Sequence, residues 1–207
     1  MTITYPLSMP SATDMVHIRI RQINAVAQSV SPFTFERKVY QHTGQRWALS
    51  IDLPPFNTRA LADPWIGFLA SLKGTYGTFL AGDPNATATR GVGTGTPLVN
   101  GGSQTGSSLI TDGWTVGQTG ILKARDYIQL GSGSSSRLHM ILQDANSDGS
   151  GNATFDIWPN LRSSPSDNAA ITVASCKGVF ALESNDYEWA MEQIPFYGMS
   201  FTASEVV

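Results

Sequence analysis

A single amphipathic segment near residues 58–73 most constrains the fold, because the rest of the chain shows strand and turn patterns. Its apolar residues recur at helical spacing, Asn57 or Thr58 suits the N-cap, and Gly74 supplies a stop signal. Pro64 is expected in the first turn, where its missing N–H costs nothing. One helix packed against a β-rich body is therefore predicted. The apolar positions of this helix are Leu61, Trp65, Phe68, Leu69 and Leu72.

Strands are predicted on both sides of this helix from alternation of apolar and polar residues. Residues 14–21, 32–37 and 46–53 alternate with period two. In the first run His17, Arg19 and Arg21 share one face, which we expect to be solvated. Further strands are predicted at 76–84, 108–110, 120–123, 127–130, 137–143, 153–158, 171–174, 179–182, 187–193 and 197–203.

A change in composition after Pro84, reversed at Lys177, indicates an insertion. Residues 85–176 contain 13 of the 20 glycines and none of the five glutamates, and their short, turn-punctuated strands are typical of a small barrel or sandwich. The predicted fold class is mainly β. Residues 1–84 and 177–207 are expected to form a β-rich domain with the helix, and residues 85–176 an inserted small barrel or sandwich.

Charge and cysteine content argue against several classes of function. Only 14% of residues are charged, against a typical value of about 25%, so much of the surface is neutral and suits a large assembly. A net charge of −3 is not typical of a nucleic-acid-binding domain. The single cysteine, Cys176, is expected to be buried and inert. The N-terminus lacks a signal peptide pattern and no apolar run is long enough to span a membrane, so a cytoplasmic site of synthesis is expected.

No residue is predicted to be catalytic, to bind a cofactor or to ligate a metal. Asp144, Asn146, Asp148 and Gly149 match the first half of a calcium loop, but Phe155 stands where a bidentate acid is needed, so a turn between strands is preferred. The glycine-rich run 91–95 lacks the lysine and the helix of a phosphate-binding loop. A flexible linker is the preferred interpretation of that run.

Three further candidates also favour structural roles. The serine-rich run 131–136 is interpreted as a hairpin tip, although His139 follows it on a strand face shared with Arg137 and Ile141. Asp186 and Glu188 are interpreted as acids that keep a strand edge soluble rather than as a glycosidase pair. Four aromatic residues of the insertion are expected in its core, with display as a sugar-stacking platform left as the alternative. These residues are Trp114, Tyr127, Phe155 and Trp158.

Several short motifs together resemble the tail proteins of long-tailed bacteriophages and prophages, specifically the distal tail protein family. The likeness runs from about Phe33 to the C-terminus and is spread over many positions. The motifs are Trp65-Ile-Gly-Phe-Leu-Ala-Ser-Leu-Lys-Gly-Thr-Tyr-Gly-Thr-Phe-Leu-Ala-Gly-Asp-Pro84, Gly95-Thr-Pro-Leu-Val-Asn100, Thr111-Asp-Gly-Trp114, Gly120-Ile-Leu-Lys-Ala-Arg-Asp-Tyr-Ile-Gln-Leu-Gly131, Ile157-Trp-Pro-Asn-Leu-Arg162 and Tyr197-Gly-Met-Ser-Phe201.

The resemblance implies a structural protein rather than an enzyme. Proteins of this family form a ring, commonly a hexamer, between the tail tube and the tail-tip hub, with a tail-tube-like β-sandwich domain and often a second β-barrel. The implied partners are further copies of the chain, the tail tube protein and the hub or baseplate proteins, in a virion assembled in the host cytoplasm. DNA would pass through the ring without specific binding. A tail-tube or tail-terminator subunit, or a carbohydrate-binding module at the tail tip, remains the alternative.

Overall fold

The computed structural model describes residues 2–10, 17–188, 190–191 and 197–206. Two β-sheets and one helix make up this part of the chain. The first elements are β1 (Leu7–Ser8), β2 (His17–Val30), β3 (Arg37–Phe56), α1 (Arg59–Leu72) and β4 (Thr78–Ala81). Next come β5 (Gly95–Val99), β6 (Gly106–Trp114), β7 (Tyr127–Leu130), β8 (Arg137–Ile141), β9 (Ala153–Leu161) and β10 (Ile171–Thr172). The last are β11 (Gly178–Leu182), β12 (Ala190–Met191) and β13 (Tyr197–Glu205).

The first sheet has seven strands and combines both ends of the chain. Its order is β1-β4-β11-β13-β3-β2, and β12 pairs with β13 beside this path. All pairs are antiparallel except the two-residue pair of β1 with β4. The C-terminal strand β13 therefore lies in the middle of the sheet, between β11 and β3.

Helix α1 confirms the predicted helix, with Thr58 as its N-cap residue and Lys73 in the left-handed conformation at its end. Five apolar side chains on one face are buried against the first sheet, and the Phe68 ring meets Phe79 of β4 with centroids 5.5 Å apart. Two details differ from the prediction. Leu61 is exposed, and Pro64 is the sixth helical residue, not a first-turn residue. The buried residues of the helix are Ala62, Trp65, Phe68, Leu69 and Leu72.

The second sheet has six strands and is nearly closed into a barrel. Its order is β10-β7-β8-β9-β6-β5. A bridge between Leu98 and Ala170, with the Val99 amide donating to the Ala169 carbonyl over 2.9 Å, joins the two ends. The mainly β fold class, with one helix and a small barrel-like sheet beside a second sheet, is thus confirmed. The barrel interior is filled by buried side chains that include Leu109, Ile121, Ile128, Ile141 and Ile157.

A shared apolar cluster connects the two sheets around Trp47 of β3. Its ring lies 4.4 Å from that of Trp158 and 6.1 Å from that of Tyr127, and its indole N–H donates to the Leu138 carbonyl over 2.9 Å. Three of its partners therefore belong to the segment between residues 85 and 176. The division into autonomous domains stays a prediction, and Trp189 of the predicted strand 187–193 lies outside the described residues.

Two of the predicted strands have a different structure. Residues 32–36 of the predicted strand 32–37 form the turn between β2 and β3, because backbone bonds between Ser31 and Glu36 close a loop there, and Arg37 begins β3. Residues 120–123 form only an isolated bridge, between Leu122 and Ala145. In the described part of the chain, no helix is long and apolar enough to cross a bilayer.

Candidate functional site

A long β-hairpin, residues 17–56, is the most distinctive surface feature. Strands β2 and β3 pair from His17 opposite Asp52 to Val30 opposite Arg37, with an irregularity between Asn24 and Val26. Near its base the hairpin belongs to the core of the first sheet. Between residues 21 and 44 every residue is exposed except the half-buried Ser31. This outer part, which we call the projecting arm, contributes nothing to the described core.

Hydrogen bonds within the loop order the tip of the projecting arm. The Ser31 amide donates to the Glu36 carbonyl, and the Phe35 amide donates to the Ser31 carbonyl, both over 2.9 Å. The Ser31 hydroxyl accepts from the amides of Phe33 and Thr34. Despite this order, Phe33 and Phe35 are 92% and 81% exposed. Two phenyl rings held in water by a structured loop are typical of a contact surface.

One face of the arm continues this apolar surface. In the regular register Val26 lies opposite Gln41 and Gln28 opposite Val39, and Val30 follows two residues later on the same face. All three valines are about half exposed. Strand β2 is also the edge of the sheet as described, so its outer N–H and C=O groups have no neighbouring strand.

The hairpin differs in charge from the rest of the chain. The projecting arm, residues 21–44, contains three of the 13 basic residues and one of the 16 acidic residues, a net charge of +2 against −5 for the remainder. The predicted solvated face is confirmed, since His17, Arg19 and Arg21 are exposed. Among the described residues this face makes one ion pair, from Arg19 to Asp52 over 3.6 Å, with the two side chains 75% and 40% exposed. A basic arm and an acidic body are electrostatically complementary between copies of the chain.

The base of the hairpin is fixed to strand β9 of the barrel. The Trp158 indole N–H donates to the Asn24 side chain, and the Asn160 amide donates to the Gln45 side chain, both over 2.7 Å. Arg162 Nη2 donates to the Gln45 carbonyl and to Glu205 Oε2, over 2.6 and 2.7 Å. These bonds set the direction in which the arm leaves the body.

The acidic loop that resembles half of a calcium site is used for internal hydrogen bonds. Asp144 accepts from the Ala124 amide and Asn146 from the Gly120 amide, over 2.8 and 2.7 Å. Asp148 accepts from the amides of Ser150 and Asn152 and from the Asn152 side chain. These bonds to its own loop hold the pKa of Asp148 below its usual value. The three side chains thus bond to different segments instead of converging.

The glycine-rich run 91–95 is bound to the barrel, which differs from the predicted flexible linker. Asp126 accepts from the amides of Arg90 and Gly91, over 2.7 and 3.0 Å. The Gly93 amide donates to the Ile121 carbonyl over 2.8 Å. Because its amides already have protein acceptors, this loop offers no phosphate cradle.

The serine-rich turn confirms the hairpin-tip interpretation, since it joins β7 to β8 and contains the short 3₁₀ turn Gly133–Ser135. Ser135 donates to the Ser132 carbonyl, and the Ser136 hydroxyl accepts from Gln129. His139 Nδ1 bonds the Pro159 carbonyl over 2.7 Å. Its burial lowers the pKa of His139 from 6.5 to about 4. No serine of this turn makes a hydrogen bond with His139 in the described structure.

The remaining candidates have the following positions. Trp114 and Phe155 are buried in the barrel core, as predicted. Tyr127 and Trp158 are also buried, but in the cluster around Trp47 that belongs mainly to the first sheet, because they face outward from the barrel. Cys176 is buried as predicted, its thiol contacts the carbonyls of Tyr127 and Thr172, and burial raises its pKa to about 12. Asp186 and Glu188 are exposed and border the same open depression.

A function for this protein has to be argued from its fold and its projecting arm. Neither a scan against protein-family models nor a search of curated proteins finds a match to this chain.

The projecting arm was not predicted from the sequence. Both of its faces are solvated, so residues 22–30 and 38–45 lack the alternation that marks a half-buried strand.

Proposed function

We propose that the protein is a structural component of a phage tail, a ring that joins the tail tube to the tail-tip hub. The projecting arm is the observation that supports a ring. It displays Phe33 and Phe35, presents a strand edge that is unpaired among the described residues, and has a net charge of +2 where the rest of the chain has −5. The motif-level resemblance to distal tail proteins supports the place of this ring in the tail. In this proposal the protein has no catalytic role.

In such a ring each copy lays its arm on the next copy. A basic arm against an acidic body is a head-to-tail contact, and such contacts form a ring when the rotation from one copy to the next closes. The contact covers the edge of β2 and the two phenyl rings of the tip, which would otherwise promote aggregation. We propose six copies, with a central hole through which DNA passes without sequence-specific contacts. The neighbours above and below are the tube protein and the hub.

Mass photometry of the full chain tests the ring. We expect a hexamer in low salt and smaller species at high salt, because screening weakens the attraction between arm and body. The variant Phe33→Ser/Phe35→Ser should remain monomeric. Val116→Ser, which removes an exposed apolar residue after strand β6, is the matched control and should assemble normally. A monomer at every concentration in the unaltered protein would contradict the proposal.

Imaging of the intact particle tests the place in the tail. Antibody-gold labelling should mark one position at the tail tip, with about one ring per particle. Labelling along the whole tail, with many stacked copies, would instead identify a tube subunit.

A further inference from the structure

The open end of the barrel contains a polar cavity that the ring does not use. It has a volume of about 250 Å³, room for about eight water molecules at ~30 Å³ each. Leu130 and Leu161, which belong to the barrel core, form its apolar side. Arg137, His139 and Arg162 supply its charged and polar side, with serines of the two bordering loops. Mouths of β-barrels are common ligand sites.

Two guanidinium groups have unused donors at this cavity. Arg162 bonds protein only through Nη2, to Gln45 and Glu205, and Arg137 only through Nη1, to the carbonyls of Ser134 and Ser136. Across the described residues, their Nε and remaining Nη nitrogens have no protein acceptor. No Asp or Glu is among the residues that border the cavity. The charge of Arg162 is balanced by Glu205, so Arg137 supplies the unpaired positive charge of the lining. Together with the free donors of both arginines, this charge favours a negatively charged group.

His139 adds a hydrogen-bond acceptor. The side chain is 4% exposed, and its Nδ1 must donate to Pro159, because a carbonyl only accepts. In the neutral ring Nε2 is then an acceptor. In the part of the chain that the structure describes, Nε2 has no protein partner, and the one fully buried side-chain N or O atom without a partner is Glu205 Oε1. The Nε2 atom therefore reaches solvent, and the cavity is where the side chain opens to it.

We propose that this cavity binds a small hydroxylated anion, a sugar or polyol unit with a carboxylate or a phosphate. The acidic group lies between Arg137 and Arg162, a ligand hydroxyl donates to His139 Nε2, and ligand C–H groups contact Leu130 and Leu161. Inorganic phosphate offers the arginines an acceptor but has no C–H groups to contact Leu130 and Leu161, and a neutral sugar has hydroxyls but no charge for the arginines. The ligand class follows from the combination of these donors and this acceptor.

Calorimetry on the full chain tests the site with four probes, namely glucuronate, glucose 6-phosphate, glucose and inorganic phosphate. We expect saturable binding of glucuronate or glucose 6-phosphate, and at least about tenfold weaker binding of glucose and of inorganic phosphate. Which of the two acids binds better identifies the acidic group. Arg137→Met should weaken binding about tenfold or more. Arg90→Met removes an exposed arginine that also donates Nη1 to a backbone carbonyl, and should leave binding unchanged.

A second measurement reports on the histidine itself. In nuclear magnetic resonance spectra the Nε2 signal of His139 should shift on addition of the binding probe, while His17 should not respond. A thermal melt of Arg137→Met equal to that of the unaltered protein shows that lost binding is not lost folding. Binding that survives Arg137→Met, equal affinity for inorganic phosphate, an unmoved Nε2 signal, or no binding of either acid would each overturn the proposal.

Discussion

At the scale of single residues, the ion pair between Arg162 and Glu205 is expected to have the largest effect on stability. The side chain of Glu205 is 1% exposed and that of Arg162 is 21% exposed, and they meet over 2.7 Å. Glu205 Oε2 also accepts from the Trp47 amide, while Oε1 has no partner in the described structure. A buried carboxylate with one unsatisfied oxygen depends strongly on its remaining cation. The pair joins the central strand β13 to the end of β9.

Removal of the cation should therefore destabilise more than removal of the whole charge pair. We expect Arg162→Met to lower the free energy of unfolding by about 3–5 kcal/mol, because Glu205 is then buried without a counter-charge. In Arg162→Met/Glu205→Gln the neutral amide still accepts from Trp47, so the loss should be smaller than in the single variant. Urea unfolding of the three proteins gives the comparison. A double variant less stable than Arg162→Met would contradict this account.

His139 makes a second prediction at this scale, for the dependence of stability on pH. Burial lowers its pKa in the folded protein from 6.5 to about 4, so between these values the unfolded chain binds a proton that the folded protein does not. Stability should fall as pH drops from about 6.5 to about 4, by about 3 kcal/mol from this group. Urea unfolding across that range should show a shallower loss for His139→Gln than for the unaltered protein. The exposed His17→Gln variant is the control and should keep the full slope.

At the scale of elements, the sequence predicted what packs against a core and missed what does not. Helix α1 was predictable because Trp65, Phe68 and Leu72 repeat at its period and Thr58 and Gly74 punctuate it. The projecting arm was not, because neither face is buried and Phe33 and Phe35 alternate as in a strand although they lie in a turn. The cavity at the open end of the barrel could be predicted only in part. Alternation puts Arg137 and His139 on one face of β8, but Arg162 comes from the turn that follows β9.

The projecting arm should therefore be removable without loss of the fold. Replacing residues 26–43 by Asn-Gly joins Ala25 to Gly44 through a two-residue hairpin turn. We expect the free energy of unfolding to change by no more than about 1 kcal/mol, because the removed residues are exposed apart from Ser31, and exposed positions contribute little. The shortened protein should also be monomeric. Urea unfolding and mass photometry measure both results, and an unfolded product would show that the arm stabilises the body.

At the scale of the whole molecule, the two sheets share a core although the sequence separates them by composition. Trp47 stands in β3, yet the groups that cover it are Trp158, Tyr127 and Leu138 of the other sheet. Gln45 and Arg162 add hydrogen bonds across the same boundary. Composition detects a change in surface and turn chemistry. It does not detect which aromatic side chains meet across the change.

The shared cluster predicts that the two sheets unfold together. Burial of a large aromatic side chain contributes a few kcal/mol, and Trp47 makes its contacts across the boundary. We expect one cooperative melting transition in calorimetry, with a calorimetric enthalpy equal to the van't Hoff value. Trp47→Ala should lower stability by about 3–5 kcal/mol through the cavity it leaves, and should separate the melt into two transitions. In that variant the sheets keep their own cores but lose the contact that couples them.

A matched variant distinguishes coupling from simple destabilisation. Trp65→Ala removes a tryptophan of equal burial, 2% exposed in both cases, whose ring contacts are Phe68 of α1 and Phe201 of β13. It should lower the melting temperature and still melt in a single transition, because the Trp47 contacts remain. Deletion of residues 85–176 should leave Trp47 exposed, with its fluorescence shifted to longer wavelength, since its covering groups are gone. Two transitions in the unaltered protein would show that the sheets are not coupled. A single transition in Trp47→Ala would show that other contacts couple them.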